Sequence, residues 1–213
     1  MTRILPGVIA MAIIVVASNI LVQFLILDGL LTWGAFTLPF AFLVTDVMNR
    51  VYGTSAARKV IFAGLVTGII CSLIGTQITV EFAPGVTGSA VALRVAIASA
   101  TAFLASQLLD VMVFNLLRQG AWWRAPLGSG IAASILDTVL FFGIAFSGTL
   151  SFGAQADAEV AWAAEAAPFL LIGPEIPLWM TLAVADWMVK ISIAFIALVP
   201  FRLIVKRLIT QIA

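Results

Sequence analysis

The chain has 213 residues, of which 63% are hydrophobic and only 10% are charged. Because a water-soluble domain is about 45–50% apolar and about 25% charged, this composition excludes a soluble globular protein and predicts an integral membrane protein. Eleven Lys and Arg residues against ten Asp and Glu residues leave a formal charge of +1, which does not indicate a surface for nucleic acid.

The residue types that build most catalytic and metal sites are scarce. The chain has no histidine, and Cys71 is its single cysteine. This excludes Ser-His-Asp and Cys-His catalysis, zinc sites built on imidazole, and an internal disulfide. We therefore expect no enzyme activity, no cofactor and no metal site.

Six stretches are apolar and long enough to cross a bilayer, since about 20 apolar residues in a helix span its hydrocarbon core. In chain order they are residues 8–27, 30–47, 60–80, 91–117, 127–150 and 177–200. They predict an all-α bundle of six transmembrane helices, formed by residues 1–213 as a single domain. Gly34 and Pro39 predict an irregular second helix, because a proline within a helix leaves a carbonyl without its donor.

The basic residues outside the spans all fall on one side of such a bundle. They are Arg3, Arg50, Arg58, Lys59, Arg118, Arg124, Arg202, Lys206 and Arg207. The loops on the opposite side carry acidic residues and neither Lys nor Arg. The positive-inside rule therefore predicts that both termini lie in the cytoplasm. The long outer loop, residues 151–176, is either a simple solvated loop or contains a short surface helix over residues 157–167.

Small residues recur every four positions on two of the predicted helices. They are Gly64, Gly68 and Ser72 on the third helix, and Ala92, Ala96 and Ala100 on the fourth. This spacing lets helix backbones approach closely, either inside one bundle or across the face of a homodimer.

Six ionisable side chains fall inside the predicted spans, where each is costly to bury. They are Asp46, Arg94, Asp110, Asp137, Asp186 and Lys190. Arg94 lies near the outer end of its span and can extend its charge to the interface. Asp186 and Lys190 are four residues apart and can pair. Asp137 lies at mid-span with no cation nearby in the sequence, which favours contact with water or a ligand.

Neutral polar residues, among them Asn19, Gln23 and Gln107, lie at similar depths. Since polar groups on the first, fourth, fifth and sixth helices cannot all face lipid, we expect these helices to converge on an internal cavity. Four aspartates against two cations imply that an acid is protonated, hydrated or matched by a ligand. Asp46 is either an interfacial anchor near Arg50 or part of a gate.

Short motifs of polar, aromatic and acidic residues run along the whole chain. They are SNILVQ at 18–23, TWGAF at 32–36, PF at 39–40, LVTD at 43–46, QLLD at 107–110, VF at 113–114, WW at 122–123, DT at 137–138, FF at 141–142, IAF at 144–146 and AD at 185–186 with Lys190. Together these motifs resemble the queuosine precursor transporters, which belong to the vitamin-uptake-type transporter family. One position departs from the family pattern. Ser134 stands where members often carry Asn or Gln, three residues before the aspartate of the fifth span.

The resemblance implies a six-helix importer of 7-deazaguanine bases, the cyano- or aminomethyl-substituted precursors of queuosine, in the cytoplasmic (inner) membrane. A carboxylate can accept the ring N–H and amino group of such a base, amides can bind its carbonyl, and aromatic rings can stack on it. The candidate binding residues are Asn19, Gln23, Trp33, Phe40, Gln107, Asp110, Phe114, Asp137, Asp186 and Lys190. For Trp33, a place in the aromatic belt of the membrane interface is the alternative. The expected partners are the base and the lipid bilayer, without nucleic acid.

A solitary secondary or facilitative transporter is the leading hypothesis, because the chain lacks a glycine-rich phosphate loop ending in Gly-Lys-Ser/Thr. The alternative is the substrate-binding membrane subunit of a multi-component, ATP-driven vitamin or base uptake system. Asp110 is the candidate for proton coupling, with Asp46 as a gate; otherwise the substrate runs down its gradient. An intramembrane enzyme using Asp110 and Asp137 as an acid/base pair and a passive scaffold are two further hypotheses.

Overall fold

The computed structural model describes residues 3–21, 25–27, 30–83 and 85–212. Most of these residues are helical. The α-helices within those ranges are α1 (Leu5–Leu21), α2 (Gly34–Thr37), α3 (Pro39–Tyr52), α4 (Thr54–Gln77), α5 (Leu93–Leu117), α6 (Arg124–Phe146), α7 (Ala154–Ala158) and α8 (Leu178–Ile212). Gly53, with φ of 85°, permits the sharp turn between α3 and α4, because a residue with a Cβ is strained at that φ.

Within the described ranges, short antiparallel hairpins lie in three of the connections between helices. The strands are β1 (Leu25–Ile26), β2 (Leu31–Thr32), β3 (Thr79–Ala83), β4 (Val86–Ser89), β5 (Ala166–Pro168) and β6 (Glu175–Pro177). They pair as β1 with β2, β3 with β4, and β5 with β6. Each hairpin lies in a connection between helices, so the body of the molecule is a helical bundle.

Among the residues that the structure describes, four helices are long and apolar enough to cross a membrane, namely α4, α5, α6 and α8. The chain is thus a mostly helical, multi-pass membrane protein. The second predicted span is interrupted as expected, since α2 ends at Thr37 and Pro39 begins α3 without an N–H to donate. α1 has 17 residues and α3 has 14, so the count of six spans remains a prediction.

The helices differ in extent from the apolar stretches that predicted them. α4 begins at Thr54 rather than at residue 60, and α8 continues to Ile212, beyond the predicted end at residue 200. The residues added to α8 include Arg202, Lys206 and Arg207, which are good helix formers. Hydropathy marks the part of a helix that suits lipid, whereas backbone hydrogen bonding continues into the charged turns.

The bundle is held together by close helix contacts. α5 packs most extensively on α6, α6 also packs on α8, and α3 contacts α4, α5 and α8. A Cβ built at Gly64 would lie 2.6 Å from the Cγ of Met11, and one at Gly68 would lie 3.3 Å from Val15. The small residues of α4 therefore serve packing against α1 within one chain, which is one of the two alternatives their spacing left open.

Two ends of the bundle are distinguished by their charges. Nη1 of Arg50 donates to the carbonyl of Arg118 at 3.1 Å, which joins the last turn of α3 to the last turn of α5. We call this the basic end. The opposite end, at which α5 begins and α6 finishes, carries the connection between α6 and α8, and we call it the loop end.

The connection at the loop end is folded. It contains α7, two 3₁₀ turns and the β5–β6 hairpin, and Val160 and Ala163 are buried. The surface helix predicted over residues 157–167 is wrong, because α7 ends at Ala158, and so is the alternative of a simple solvated loop. The alanine-rich composition does not predict these buried contacts, because alanine is common both in helices and in packed turns.

Candidate functional site

A buried lysine joins α6 to α8. Nζ of Lys190 donates to Oδ2 of Asp137 at 2.7 Å and also contacts Oδ2 of Asp186, one helical turn earlier on α8. The side chains of Lys190 and Asp137 are 3% and 5% exposed, whereas that of Asp186 is 15% exposed. One ammonium thus meets two carboxylates from different helices.

Hydroxyl groups complete this arrangement. Nζ of Lys190 also donates to Oγ1 of Thr138 at 3.2 Å, and that hydroxyl donates to Oδ2 of Asp186 at 3.2 Å. Oγ of Ser106 on α5 donates to Oδ1 of Asp137 at 3.2 Å. We call Ser106, Asp137, Thr138, Asp186 and Lys190 the central cluster. Asp137 has no cation nearby in the sequence, but the fold brings Lys190 to it across 53 positions.

A second polar group lies between α3, α5 and α6, nearer the basic end. Oγ1 of Thr45 donates to Oε1 of Gln107 at 2.6 Å, and Oγ of Ser129 donates to Oδ1 of Asp46 at 3.4 Å. The contact between Thr45 and Gln107 brings α3 and α5 together where Asp46 and Asp110 lie, so the carboxyl groups of these two acids are neighbours and interact with each other. We call these five residues the inner cluster.

The inner cluster contains polar atoms without partners. Asp110 is fully buried, and within the described residues neither of its carboxyl oxygens has a hydrogen-bond partner. The same is true of Nε2 of Gln107, which is 1% exposed. Asp46 is 3% exposed, so the interpretation of Asp46 as an interfacial anchor near Arg50 is wrong: Arg50 reaches the carbonyl of Arg118 instead.

Arg94 is buried at the loop end. It is 3% exposed, because the connection there folds over α5 and supplies acceptors. Its Nε donates to the carbonyl of Ile144 at 2.7 Å, Nη2 donates to the carbonyl of Ser147, and Nη1 pairs with Oδ1 of Asp157 at 3.1 Å. Arg94 thereby fastens α5, the end of α6 and the outer connection to one another.

Asp157 is the titratable partner in this fastening. The hydroxyl of Ser151 and the backbone N–H of Phe152 donate to its carboxylate, and the guanidinium of Arg94 lies beside it. These donors favour the charged form and hold the pKa of Asp157 below its ordinary value. Arg94 therefore forms its salt bridge with the ionised form of Asp157.

The predicted polar residue Asn19 lies apart from both clusters. Its Nδ2 donates to the carbonyl of Val15 at 2.9 Å, and its Oδ1 accepts from Ser72 on α4 at 3.5 Å. Gln23, predicted beside it, lies outside the described residues. Asn19 thus contributes to the contact between α1 and α4.

The predicted aromatic residues occupy three different settings. Trp33 is 51% exposed with its ring 5.9 Å from that of Phe36, and Phe40 is 40% exposed. Phe114 is fully buried, and its ring meets the edge of Phe201 at 6.2 Å. Phe114 packs in the core with Val47, Ala125 and Phe201.

Two cavities bear on ligand size. One of about 30 Å³ lies between α3, α6 and α8, and its walls include Asp46, Ser134 and Lys190. This volume suits one or two water molecules, and it connects the two clusters. A groove of about 320 Å³ between α1 and α3 is apolar, and the hydroxyl of Thr37 on its wall donates to the carbonyl of Gly34. The smaller cavity has room for water but not for a two-ring base, and the walls of the larger groove are apolar.

The hydroxyl members of the clusters are not among the candidate binding residues predicted from the sequence. They are Thr45, Ser106, Ser129 and Thr138. Three of them adjoin a predicted polar residue in sequence: Thr45 precedes Asp46, Ser106 precedes Gln107 and Thr138 follows Asp137. Their position next to an acid or an amide within a predicted span is the sequence feature that could have identified these three residues.

Comparison with known proteins places this arrangement in context. A family model described as "Putative vitamin uptake transporter" matches residues 32–205. The "Queuosine precursor transporter" of Escherichia coli (strain K12) is 33% identical over 209 residues, which cover 92% of this chain and 85% of that protein. A "Probable queuosine precursor transporter" from Haemophilus influenzae is 35% identical over 79% of this chain and 66% of that protein.

A third relative, the "Probable queuosine precursor transporter" of Bacillus subtilis (strain 168), is 27% identical over 79% of this chain and 68% of that protein. No solved structure matches the chain significantly. The family match extends from β2 into the last turns of α8 and so includes both clusters. The chain, a multi-pass membrane protein with an acid-rich interior, therefore belongs to the vitamin uptake transporter family.

Proposed function

We propose that the chain imports queuosine precursors, which are 7-deazaguanine-type bases, across the cytoplasmic (inner) membrane. It would act as a secondary or facilitative transporter, a single domain with six spans and both termini in the cytoplasm. The observation that carries this proposal is the 33% identity to the Escherichia coli queuosine precursor transporter over nearly the whole chain. The buried carboxylates and amide inside an apolar bundle are the chemistry that such a base requires.

In this proposal Asp137 and Gln107 bind the polar edge of the base. A carboxylate can accept the adjacent ring N–H and amino group together, by the same geometry with which side chains recognise guanine-type donors. Nε2 of Gln107, which has no hydrogen-bond partner among the described residues, supplies the donor that the base carbonyl needs. Both side chains are buried, so these hydrogen bonds form away from competing water.

Lys190 lets Asp137 change partners. When Asp137 turns to the base, the ammonium of Lys190 still contacts Asp186 and the hydroxyl of Thr138. An uncompensated buried charge would be costly, and this second carboxylate avoids it. The central cluster can therefore release one acid for substrate while its cation stays neutralised.

Substrate binding then requires helix movement. The cavity that touches both clusters has about 30 Å³, whereas a two-ring base is several times larger. We infer that α3 separates from α6 and α8 to admit the base, which is a gating motion between parts of the bundle around a site near mid-membrane. The residues that line this seam, among them Asp46 and Ser134, would border the path of the base.

The test is substrate counterflow with the purified chain alone in liposomes. Vesicles preloaded with unlabelled 7-cyano-7-deazaguanine should take up the labelled base transiently, and protein-free vesicles should not. Uptake without any other protein excludes the ATP-driven subunit. Absence of counterflow, with the chain shown to be folded by its thermal unfolding, would overturn the proposal.

A further inference from the structure

The inner cluster holds two acids that the base-binding proposal does not use. Asp46 on α3 and Asp110 on α5 are 3% and 0% exposed, and their carboxyl groups are neighbours. Asp46 accepts a hydrogen bond from Ser129, but both oxygens of Asp110 lack a partner within the described residues. Most buried polar atoms in proteins are hydrogen-bonded, so this exception calls for a functional explanation.

The charged groups around the pair do not compensate it. On α8, Lys190 lines the same small cavity as Asp46, but its ammonium is bound by Asp186 and by Asp137 of α6. Arg50 on α3 and Arg118 on α5 contact backbone carbonyls at the basic end. The basic residues of α4, Arg58 and Lys59, are exposed near its start, and the described part of α1 has no titratable residue after Leu5. Among the described residues, neither acid of the pair has a salt bridge.

Two adjacent carboxyl groups without a cation are costly when both are ionised, and they are stable when they share a proton. A proton between them supplies the donor that the oxygens of Asp110 lack. A metal ion is less suited to this position, since no group of three or more Asp, Glu, Cys or His side chains in the described ranges could hold one. The chemistry of the pair therefore favours a proton as its ligand.

We propose that Asp46 and Asp110 form a proton-binding site that couples uptake of the base to the proton gradient. This rests on the proposed function. The pair takes one proton from the outer water when the seam between α3 and α8 is open to that side, and releases it to the cytoplasm after the base has moved. The cavity between Asp46 and Lys190 joins the pair to the central cluster, so the protonation of one site and the occupancy of the other affect each other.

The test uses the full chain in proteoliposomes, with the neutral 7-cyano-7-deazaguanine as probe and the membrane potential clamped at zero. With one pH unit across the membrane, acid outside, one proton per base predicts accumulation of about tenfold over the external concentration. A pH dye inside the vesicles should report acidification when base is added. Asp46→Asn and Asp110→Asn should lose both the accumulation and the dye signal. Glu175→Gln, an exposed acid in β6, is the matched control and should retain the accumulation, the dye signal and counterflow.

Counterflow separates the two proposals. If wild type shows counterflow but only equilibrates in every pH gradient, or if both Asn variants accumulate base as wild type does, the coupling site is refuted and the transport function stands. Accumulation driven by a sodium gradient at equal pH would likewise refute it. If wild type shows no counterflow, the transport function is refuted and the coupling with it. Thermal unfolding of each variant separates lost coupling from lost folding.

Discussion

Lys190 contacts two aspartates that lie on different helices, so a change in any one of the three alters the charge balance of the others. The ammonium is nearly inaccessible to water. In such surroundings an ion pair adds little net stability, yet removing one member leaves a buried charge that is expensive to keep. A substitution in the central cluster can therefore change the stability of the fold as well as substrate binding, and both are measured for each variant.

Replacing Asp137 with Asn tests the base-binding role. The change preserves size but turns one acceptor oxygen into a donor, and it leaves Lys190 paired with Asp186. Loss of a charge-assisted hydrogen bond to the base should cost about 1.5–3 kcal/mol, or roughly ten- to hundredfold in affinity. Calorimetric titration with 7-cyano-7-deazaguanine measures it. Ser192→Ala, on an exposed face of α8, is the control, and unchanged affinity in Asp137→Asn would exclude the assignment.

A double-mutant cycle on α8 tests the contact between Asp186 and Lys190. Lys190→Met alone leaves two buried carboxylates facing each other and should destabilise the protein by about 3–5 kcal/mol. Adding Asp186→Asn removes one of those charges, so the double variant should be more stable than the sum of the single effects predicts. Unfolding of the detergent-solubilised protein measures each free energy. Strictly additive effects would show that the two side chains do not interact.

The sequence predicts which residues belong to the site better than it predicts which of their side chains contact one another. A charge within an apolar run is conspicuous, and Asp46, Asp110 and Asp137 were selected for that reason. The contact between Asp137 and Lys190 could not be predicted, because it depends on how α6 meets α8 across 53 positions. The position of a residue within a span predicts its depth in the membrane. The direction in which its side chain faces depends on how the helices pack.

At the scale of elements, Arg94 holds the outer connection through an ionised Asp157, and this predicts a pH dependence. Since the pKa of Asp157 is below its ordinary value of 3.8, its stabilising effect is complete above about pH 5 and is lost as the pH falls through the folded-state pKa. The difference in unfolding temperature between wild type and Asp157→Asn should be constant above pH 5 and shrink below pH 4.

Ser151→Ala removes the hydroxyl that contributes most to the lowered pKa of Asp157. In a Ser151→Ala background, Asp157→Asn should therefore lower the unfolding temperature at neutral pH by less than it does in wild type. Thermal unfolding followed by circular dichroism from pH 3 to pH 7 measures both effects. A difference that persists unchanged at pH 3 would mean that the charge of Asp157 does not secure the connection.

The elements themselves were predictable to different degrees. α5, at Leu93–Leu117, agrees closely with the apolar run over residues 91–117, because most of its residues are apolar and the buried Arg94, Gln107 and Asp110 are too few to interrupt the run. The outer connection was not predictable, since its hairpin pairs Ala166 with Pro177 and neither residue is typical of a strand. That hairpin forms because tertiary contacts bring its two segments together, a factor that local composition does not report.

At the scale of the whole molecule, the proposed orientation predicts which residues react from each side of the membrane. In a Cys71→Ser background, a cysteine at Arg207 should be shielded from a membrane-impermeant maleimide added to intact cells, and one at Glu175 should react. Both side chains are exposed in the structure, so accessibility depends on sidedness. Equal labelling at the two positions, or the reverse pattern, would contradict cytoplasmic termini.

The length of α8 has a mechanical consequence. Its 35 residues extend about 52 Å, whereas the hydrocarbon core is about 30 Å thick, so the helix must tilt strongly or project into water. Pro200 lies within it and leaves the carbonyl of Ile196 without a helical donor, which makes this point a natural pivot. Lys190 lies about 15 Å from that pivot, so a swing of about 10° would displace its backbone by about 3 Å. A hydrogen bond spans about the same distance. Movement of the part of α8 that follows Pro200 would thus bring Lys190 to Asp137 or take it away.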